Sequence, residues 1–167
     1  METVWTIGYG ADHWAEFLGR LEPWRFTHLV DVRTNPYSRY QEDFRGEDFA
    51  HKVQAAGMKY VFMGDRIGGK PTWPEVHTEG VLDRDKLAKD ARFIQGIEAV
   101  MKAAESTDRR MCLMCGCAQP HECHRGRILG ESLRLRGLEL VHILPDGSTA
   151  PQSETRLWAG LDQGSLF

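Results

Sequence analysis

Long apolar runs are missing from this sequence. No stretch approaches the roughly 18 uninterrupted apolar residues that cross a bilayer as a helix, and the opening METVWTIGYG has neither the basic n-region nor the apolar h-region of a secretory signal. No membrane partner is expected, and the cytoplasm is the expected location. Charge of one sign is scarce too: 21 Lys and Arg stand against 24 Asp and Glu, a formal net charge of −3. That excludes a globally basic nucleic-acid wrapper, but not a local basic face on an acidic protein. Cysteine is absent outside one short stretch, where Cys112, Cys115, Cys117 and Cys123 fall together. A secreted disulfide scaffold spreads its cysteines to staple distant segments. Clustered thiols point instead to reactive sulfur or to a metal. What is present, 41% hydrophobic and 27% charged residues over 167 positions, suits one globular domain with its own core.

Strand and helix signals alternate along the chain. Thr3 to Ile7 reads as a strand running into the turn Gly8-Tyr9-Gly10, and Trp14, Phe17, Leu18 and Leu21 recur at helical spacing after Asp12. A second strand spans Phe26 to Val32, a helix Glu47 to Ala56, and a third strand Met58 to Met63. Residues 64 to 83, rich in Gly, Pro and Trp, read as a long ordered loop, which is usually functional. One long helix is predicted over Asp85 to Glu105. Met111 to Cys115 is a wholly apolar strand, as in a parallel sheet covered on both faces. A further helix runs to Leu135, and Leu138 to Leu144 is the last strand. The expected architecture is α/β: a three-layer, Rossmann-like sandwich with a mainly parallel sheet of about five strands. Residues 1–145 form this single domain, and residues 146–167 read as a flexible C-terminal tail.

Parallel sheets bind ligands outside the carboxyl ends of their strands. Those ends carry Gly8-Tyr9-Gly10, Asp31 with Arg33, Gly64-Asp65-Arg66, and Cys115 to Arg125. Cys123 falls at the start of a helix, where orphan N–H groups and the dipole favour a thiolate. Three readings of the loop compete. Cys123 or Cys115 is a nucleophile or adduct acceptor assisted by His124. Alternatively Cys115, Cys117 and Cys123 hold zinc with His121 or His124, although C-x-C-x5-C-H is not a standard zinc spacing. In the third, the thiols are small buried hydrophobes, as Cys112 is expected to be. No cofactor is needed by the first reading; zinc belongs to the second.

The neighbours divide in the same way. Asp31 serves as general base or orienting group, or simply pairs with Arg33. Arg33, Arg39 and Arg125 contact phosphate, or Arg39 is a solvated loop charge. Tyr9 and Trp73 stack on a base, or they cover the sheet edge and plug the loop.

Taken in order, T-I-G-Y-G, then D-V-R-x-x-P-x-S-R, then a G-G loop, then L-x-C and C-H-R before a helix, the sequence resembles the domain of unknown function 488 family over nearly the whole chain. The resemblance implies that Asp31, Arg33, Pro36, Ser38, Arg39, Gly68, Gly69, Cys115, Cys123, His124 and Arg125 are signature positions. The expected substrate-binding set adds Ser38, Gly8, Gly68 and Gly69 to the arginines and aromatics above. Many relatives carry Glu where this chain has Cys117. The family name itself supplies no reaction. Cys123-His124-Arg125 also matches a tripeptide in the active site of the alkylguanine-DNA alkyltransferases, although here Glu122 precedes it.

The chain finishes Gln163-Gly164-Ser165-Leu166-Phe167, which looks like the pentapeptide that docks bacterial replication and repair proteins onto the DNA sliding clamp. Leu166 and Phe167 would anchor in a groove while Gln163 orients them. Together these features lead to the expectation of a DNA-repair or DNA-modification enzyme. It would act on a damaged or modified base by excision or by thiol-dependent adduct transfer, with DNA and the clamp as partners. The alternatives are a non-enzymatic, zinc-holding nucleic-acid or nucleotide-binding module, and sulfur transfer through a persulfide on Cys115 or Cys123.

Overall fold

The computed structural model describes residues 3–160. Strands β1 (Val4–Gly8), β2 (His28–Asp31), β3 (Lys59–Phe62), β6 (Met111–Cys115), β7 (Leu140–Ile143) and β8 (Thr149–Pro151) form one six-stranded sheet in the order β3-β2-β6-β1-β7-β8. Every pairing is parallel except β7 with β8. Helices cover both faces, so the fold is the expected three-layer sandwich with one strand more than anticipated. On one face, α1 (Trp14–Leu21) and α2 (Gly46–Ala55) bring Phe17, Leu21, Phe49 and Val53 against Ile7, Leu29, Cys112 and Met114. On the other, α5 (Ala91–Ala104) and α6 (Glu131–Arg134) pack Phe93, Ile97, Val100 and Leu133 against Val4, Val30, Leu113 and Leu140. The sorting is the period-two alternation of strand side chains.

Several local expectations are corrected. The single helix over 85–105 is two, α4 (Arg84–Lys89) and α5, because Asp90 is extended and caps α5, its Oδ1 accepting the Arg92 N–H at 2.9 Å. An aspartate that can bond a following backbone N–H starts a new helix more readily than it continues an old one. The loop over 64–83 holds the short helix α3 (Gly64–Ile67) and a hairpin of β4 (His77–Thr78) and β5 (Val81–Leu82). Its turn residues Glu79 and Gly80 both have positive φ, as a two-residue type I′ turn requires. No helix among the described residues is long and apolar enough to cross a membrane.

The largest correction concerns the expected tether. Asp146 closes a turn by accepting from the Ser148 backbone, β8 adds antiparallel to β7, and helix α7 (Gln152–Trp158) docks back onto the domain. Its buried face is polar. Gln152 hydrogen bonds to His142 at 2.7 Å, to the Gly126 carbonyl at 2.9 Å and to Glu131 at 2.9 Å, and Arg156 pairs with Glu131 at 2.9 Å. His142 in turn meets the Thr6 hydroxyl at 2.6 Å. Gln163, Leu166 and Phe167 lie outside the described residues.

Burial opposes ionisation of Glu131, but hydrogen bonds from Arg156, Arg134 and Gln152 outweigh it and hold the carboxyl at about 2. Its stabilising effect is therefore complete above the ordinary carboxyl value and fades as pH falls toward 2. Glu131→Gln is expected to destabilise the protein by about 1 kcal/mol at neutral pH, a modest figure because the group keeps some solvent. In thermal melts, the gap between wild type and variant should narrow at about pH 3.

Candidate active site

The chain leaves β2 toward α2 on one face of the sheet and leaves the adjacent β6 toward α6 on the other. Such a divergence opens a crevice beyond the strand ends, where open α/β sheets take their ligands. Here it is a cavity of about 760 Å³. Thr34, Asn35 and Tyr37 border it from the chain after β2, Gly69 and Lys70 from the chain after α3, and Cys115 to Cys117 with Glu122 to His124 from the chain after β6.

Its floor is a cluster of sulfur and imidazole. Cys115 is the last residue of β6 and alternates onto the α5/α6 face with Leu113, whereas Cys112 goes to the opposite face and packs there among Ile7, Leu29 and Met114. Burial pushes the Cys112 thiol well up, and it is the packing residue expected. Cys123 and His124 precede a π-helical segment, Arg125–Gly130, that runs into α6; such widened turns often sit at functional sites. The His124 Nδ1 lies 3.6 Å from Cys115 Sγ and 3.7 Å from Cys123 Sγ. Its Nε2 is 3.1 Å from the Val32 carbonyl, so Nε2 carries the proton and Nδ1 presents a lone pair to the sulfurs. Burial lowers this imidazole to about 4 and keeps it neutral.

Among the thiols, charge falls on Cys115 rather than on Cys123. Cys115 accepts hydrogen bonds from the Cys117 and Cys123 thiols and from the Cys117 backbone N–H, which hold it well below an ordinary thiol against the cost of burial. Cys123, donating to Cys115 and itself buried, is raised and stays protonated. The helix-start argument for a Cys123 thiolate is thus overridden by a better acceptor nearby. His121 is not part of the cluster; its ring meets Trp158 edge-on at 5.7 Å.

Two expected glycines make the site possible by close approach. A Cβ on Gly69 would stand 2.6 Å from the His124 ring, and one on Gly8 would overlap the Cys117 carbonyl. They admit the loop and the ring rather than substrate. Gly68 fits closely against Thr34 and Gly64 in the same manner.

Of the other expected contributors, Arg33 borders the crevice and the rest lie outside its lining. Asp31 shares the α1/α2 face with Met114, across the sheet from Cys115, and is fully buried. It accepts from Arg33 Nε at 3.0 Å, Arg33 Nη2 at 2.8 Å and Tyr60 Oη at 2.6 Å, so it is no general base for the crevice. Arg33 borders the crevice, but its buried guanidinium also donates to the Phe44 carbonyl and Tyr9 and is held within the protein. Burial alone would discourage its charge, but Asp31 prevails and keeps the guanidinium firmly protonated. Tyr9 stacks on Phe44 with centroids 4.1 Å apart and is core, not a platform for a base. Trp73 packs on the core under the Arg92 guanidinium, 4.1 Å above its ring. Ser38 is buried in a turn, accepting from the Gln41 N–H. Arg125 is also fully buried: Nη2 donates to the Ala118 carbonyl at 3.1 Å, Nε and Nη1 have no partner among the described residues, and no surface phosphate can reach it. Its field instead favours the Cys115 thiolate.

The rim was largely missed from sequence. Tyr37 is half exposed, and the Arg45 guanidinium sits 4.8 Å from its ring while bonding the Ser38 and Arg39 carbonyls. Tyr40 and Arg39 are exposed on the same loop, and Lys70 is exposed across from it. The legible signal was the interleaving of Tyr37, Arg39, Tyr40 and Arg45.

The family described as Domain of unknown function DUF488 matches residues 13–133, which run from α1 into α6 and include every residue of the cluster. The chain belongs to that family. No curated protein and no solved structure matches the chain. The DUF488 match thus covers the crevice without naming its chemistry.

Asp31→Asn separates a structural from a catalytic aspartate. Leaving Arg33 buried without its partner is expected to cost about 3 kcal/mol or more of stability, measured by chemical denaturation. A fully stable but inactive variant would contradict the structural role. Gly69→Ala should displace the His124 ring, detectable as a shift of its imidazole resonances.

Proposed function

We propose that this chain is an enzyme that processes a damaged or modified base of DNA. The base enters the crevice above Cys115 while the loop from Tyr37 to Arg45 holds the strand. The observation that carries this reading is the combination, around one cavity, of a thiol floor with an aromatic and basic rim. Stacking faces beside cations are how proteins hold single-stranded nucleic acid, the rings taking bases and the charges taking phosphates. Arg39 and Lys70 are exposed, and Tyr37 and Tyr40 offer faces to solvent. A cavity of about 760 Å³ suits a nucleotide turned out of its stack.

The chemistry follows from the floor. Cys115 Sγ attacks an electrophilic carbon carried by the base. The S–C bond forms as the bond from that carbon to the base nitrogen or oxygen breaks. The electron pair leaves with the base, which takes a proton from the Cys123 thiol. The protein ends the step carrying the group. Glu122 favours a second reading, because its carboxylate borders the same crevice. In that reading the carboxylate takes a proton from water as the water attacks the sugar carbon, the glycosidic bond breaks with its electron pair going to the base, and the base takes up the proton that Glu122 gained. Docking to the sliding clamp through Gln163, Leu166 and Phe167 belongs to the same proposal, since tethering raises the effective concentration of a weak DNA binder. A cytosolic location suits four reduced thiols.

Incubation with oligonucleotides bearing a panel of modified bases tests both chemistries. Group transfer predicts a stoichiometric mass gain on wild type, absent in Cys115→Ala. Excision predicts alkali-labile sites produced over many turnovers and lost in Glu122→Gln. Activity on none of the panel, together with no binding to single-stranded DNA, would overturn the proposal. Removal of the last five residues is expected to abolish co-elution with a bacterial sliding clamp, and unchanged co-elution would rule out this docking motif.

A further inference from the structure

We infer that Cys115 Sγ, Cys123 Sγ and His124 Nδ1 are three ligands of a tetrahedral zinc site whose fourth corner opens to the crevice. The three atoms lie within 4.8 Å of one another. Zinc bonds of about 2.3 Å to sulfur and about 2.0–2.1 Å to nitrogen, set at the tetrahedral angle, place each sulfur about 3.6 Å from the nitrogen. The observed separations are 3.6 and 3.7 Å. Hydrogen bonding does not account for both. Nδ1 has a single lone pair, which takes one thiol proton well, yet it faces two sulfurs at nearly equal distance. A cation among the three satisfies every atom at once.

The surroundings are those of a metal ligand set. His124 gives its other N–H to the Val32 carbonyl, the outer-shell bond that fixes tautomer and ring orientation in zinc-binding histidines. Gly69 leaves the ring no freedom on its open side. Two cysteines and a histidine are a known set for a catalytic zinc, which keeps one position for water or substrate. Cys117 is exposed on the loop above and is not among the converging atoms, so it stands beside the open corner. The sequence pointed to His121 as a candidate nitrogen ligand, but its ring is turned to Trp158. The inference does not depend on the DNA reading: a zinc-bound Cys115 remains a thiolate at the crevice floor, and because Cys123 as a ligand has lost its proton, a departing base would take its proton from solvent instead.

Metal loading tests the site without substrate. Reduced apoprotein titrated with Co2+ is expected to saturate at one equivalent, with intense tetrahedral bands in the visible and thiolate charge transfer in the near ultraviolet. Weak octahedral bands, or no spectral change, would overturn the site on wild type alone. With zinc, Cys123→Ser and His124→Ala should bind at least about 10-fold more weakly, a scale that even outer-shell partners reach. Circular dichroism of each variant distinguishes lost ligands from lost fold. Full-strength binding by both variants would overturn the ligand set. Cys117→Ser is expected to keep one zinc per chain, and its loss would overturn the open fourth corner.

Discussion

The two-residue alternation of strand side chains governs this molecule more than any single bond. At the ends of β2 and β6 it sends Asp31 and Met114 to one face and Val32 and Cys115 to the other. One face becomes an aromatic layer built around a charge pair, and the other becomes the floor of a crevice. A shift of one residue in either strand would exchange them, placing a carboxylate beside the thiols and a thiol among the phenylalanines. The divergence of the following chains to opposite layers then opens the space between them. The chemistry of the site is thus a consequence of register before it is a consequence of side-chain identity.

Buried charge is handled in three ways. Asp31 and Arg33 neutralise each other, with Tyr60, Tyr9 and the Phe44 carbonyl completing their hydrogen bonds. Glu131 gathers Arg134, Arg156 and Gln152 and joins α6 to α7 by polar contacts where an apolar seam would be usual. Arg125 is less fully satisfied, with one bond to a carbonyl, and its charge acts on the Cys115 thiol. Desolvated cations are costly unless something nearby bears negative charge. An ionised sulfur above it, free or metal-bound, answers that need and ties the buried arginine to the reactive loop.

The layered sheet was readable because its core strands and helices carry strong periodicity, and the Cys115, Cys123 and His124 cluster because its members are close in sequence around one strand-to-helix junction. What was hidden has physical causes. Helix α7 buries Gln152, Thr155 and Arg156, so hydrophobic periodicity is silent on a segment whose composition reads as a linker. Asp90 looks like one more residue in a long amphipathic pattern, and only its capping bond reveals the break. Asp31 and Arg33 sit at a strand end, where sequence cannot tell a substrate-facing side chain from its neighbour across the sheet. Tyr37 and Arg45 are eight residues apart in a loop without period, and they meet only after the loop folds back.

The DUF488 match runs from residue 13 to residue 133. β1 lies before it and pairs on both sides, with β6 inside the match and β7 beyond it. Glu131 lies almost at its far boundary and is clasped by residues of α7. A fragment cut at the family limits would lack the strand at the centre of its sheet and would carry a half-buried carboxylate stripped of three partners, Arg134, Gln152 and Arg156. The matched stretch and the folding unit are different objects: the stretch carries the residues of the crevice, and part of what makes it cohere lies outside it.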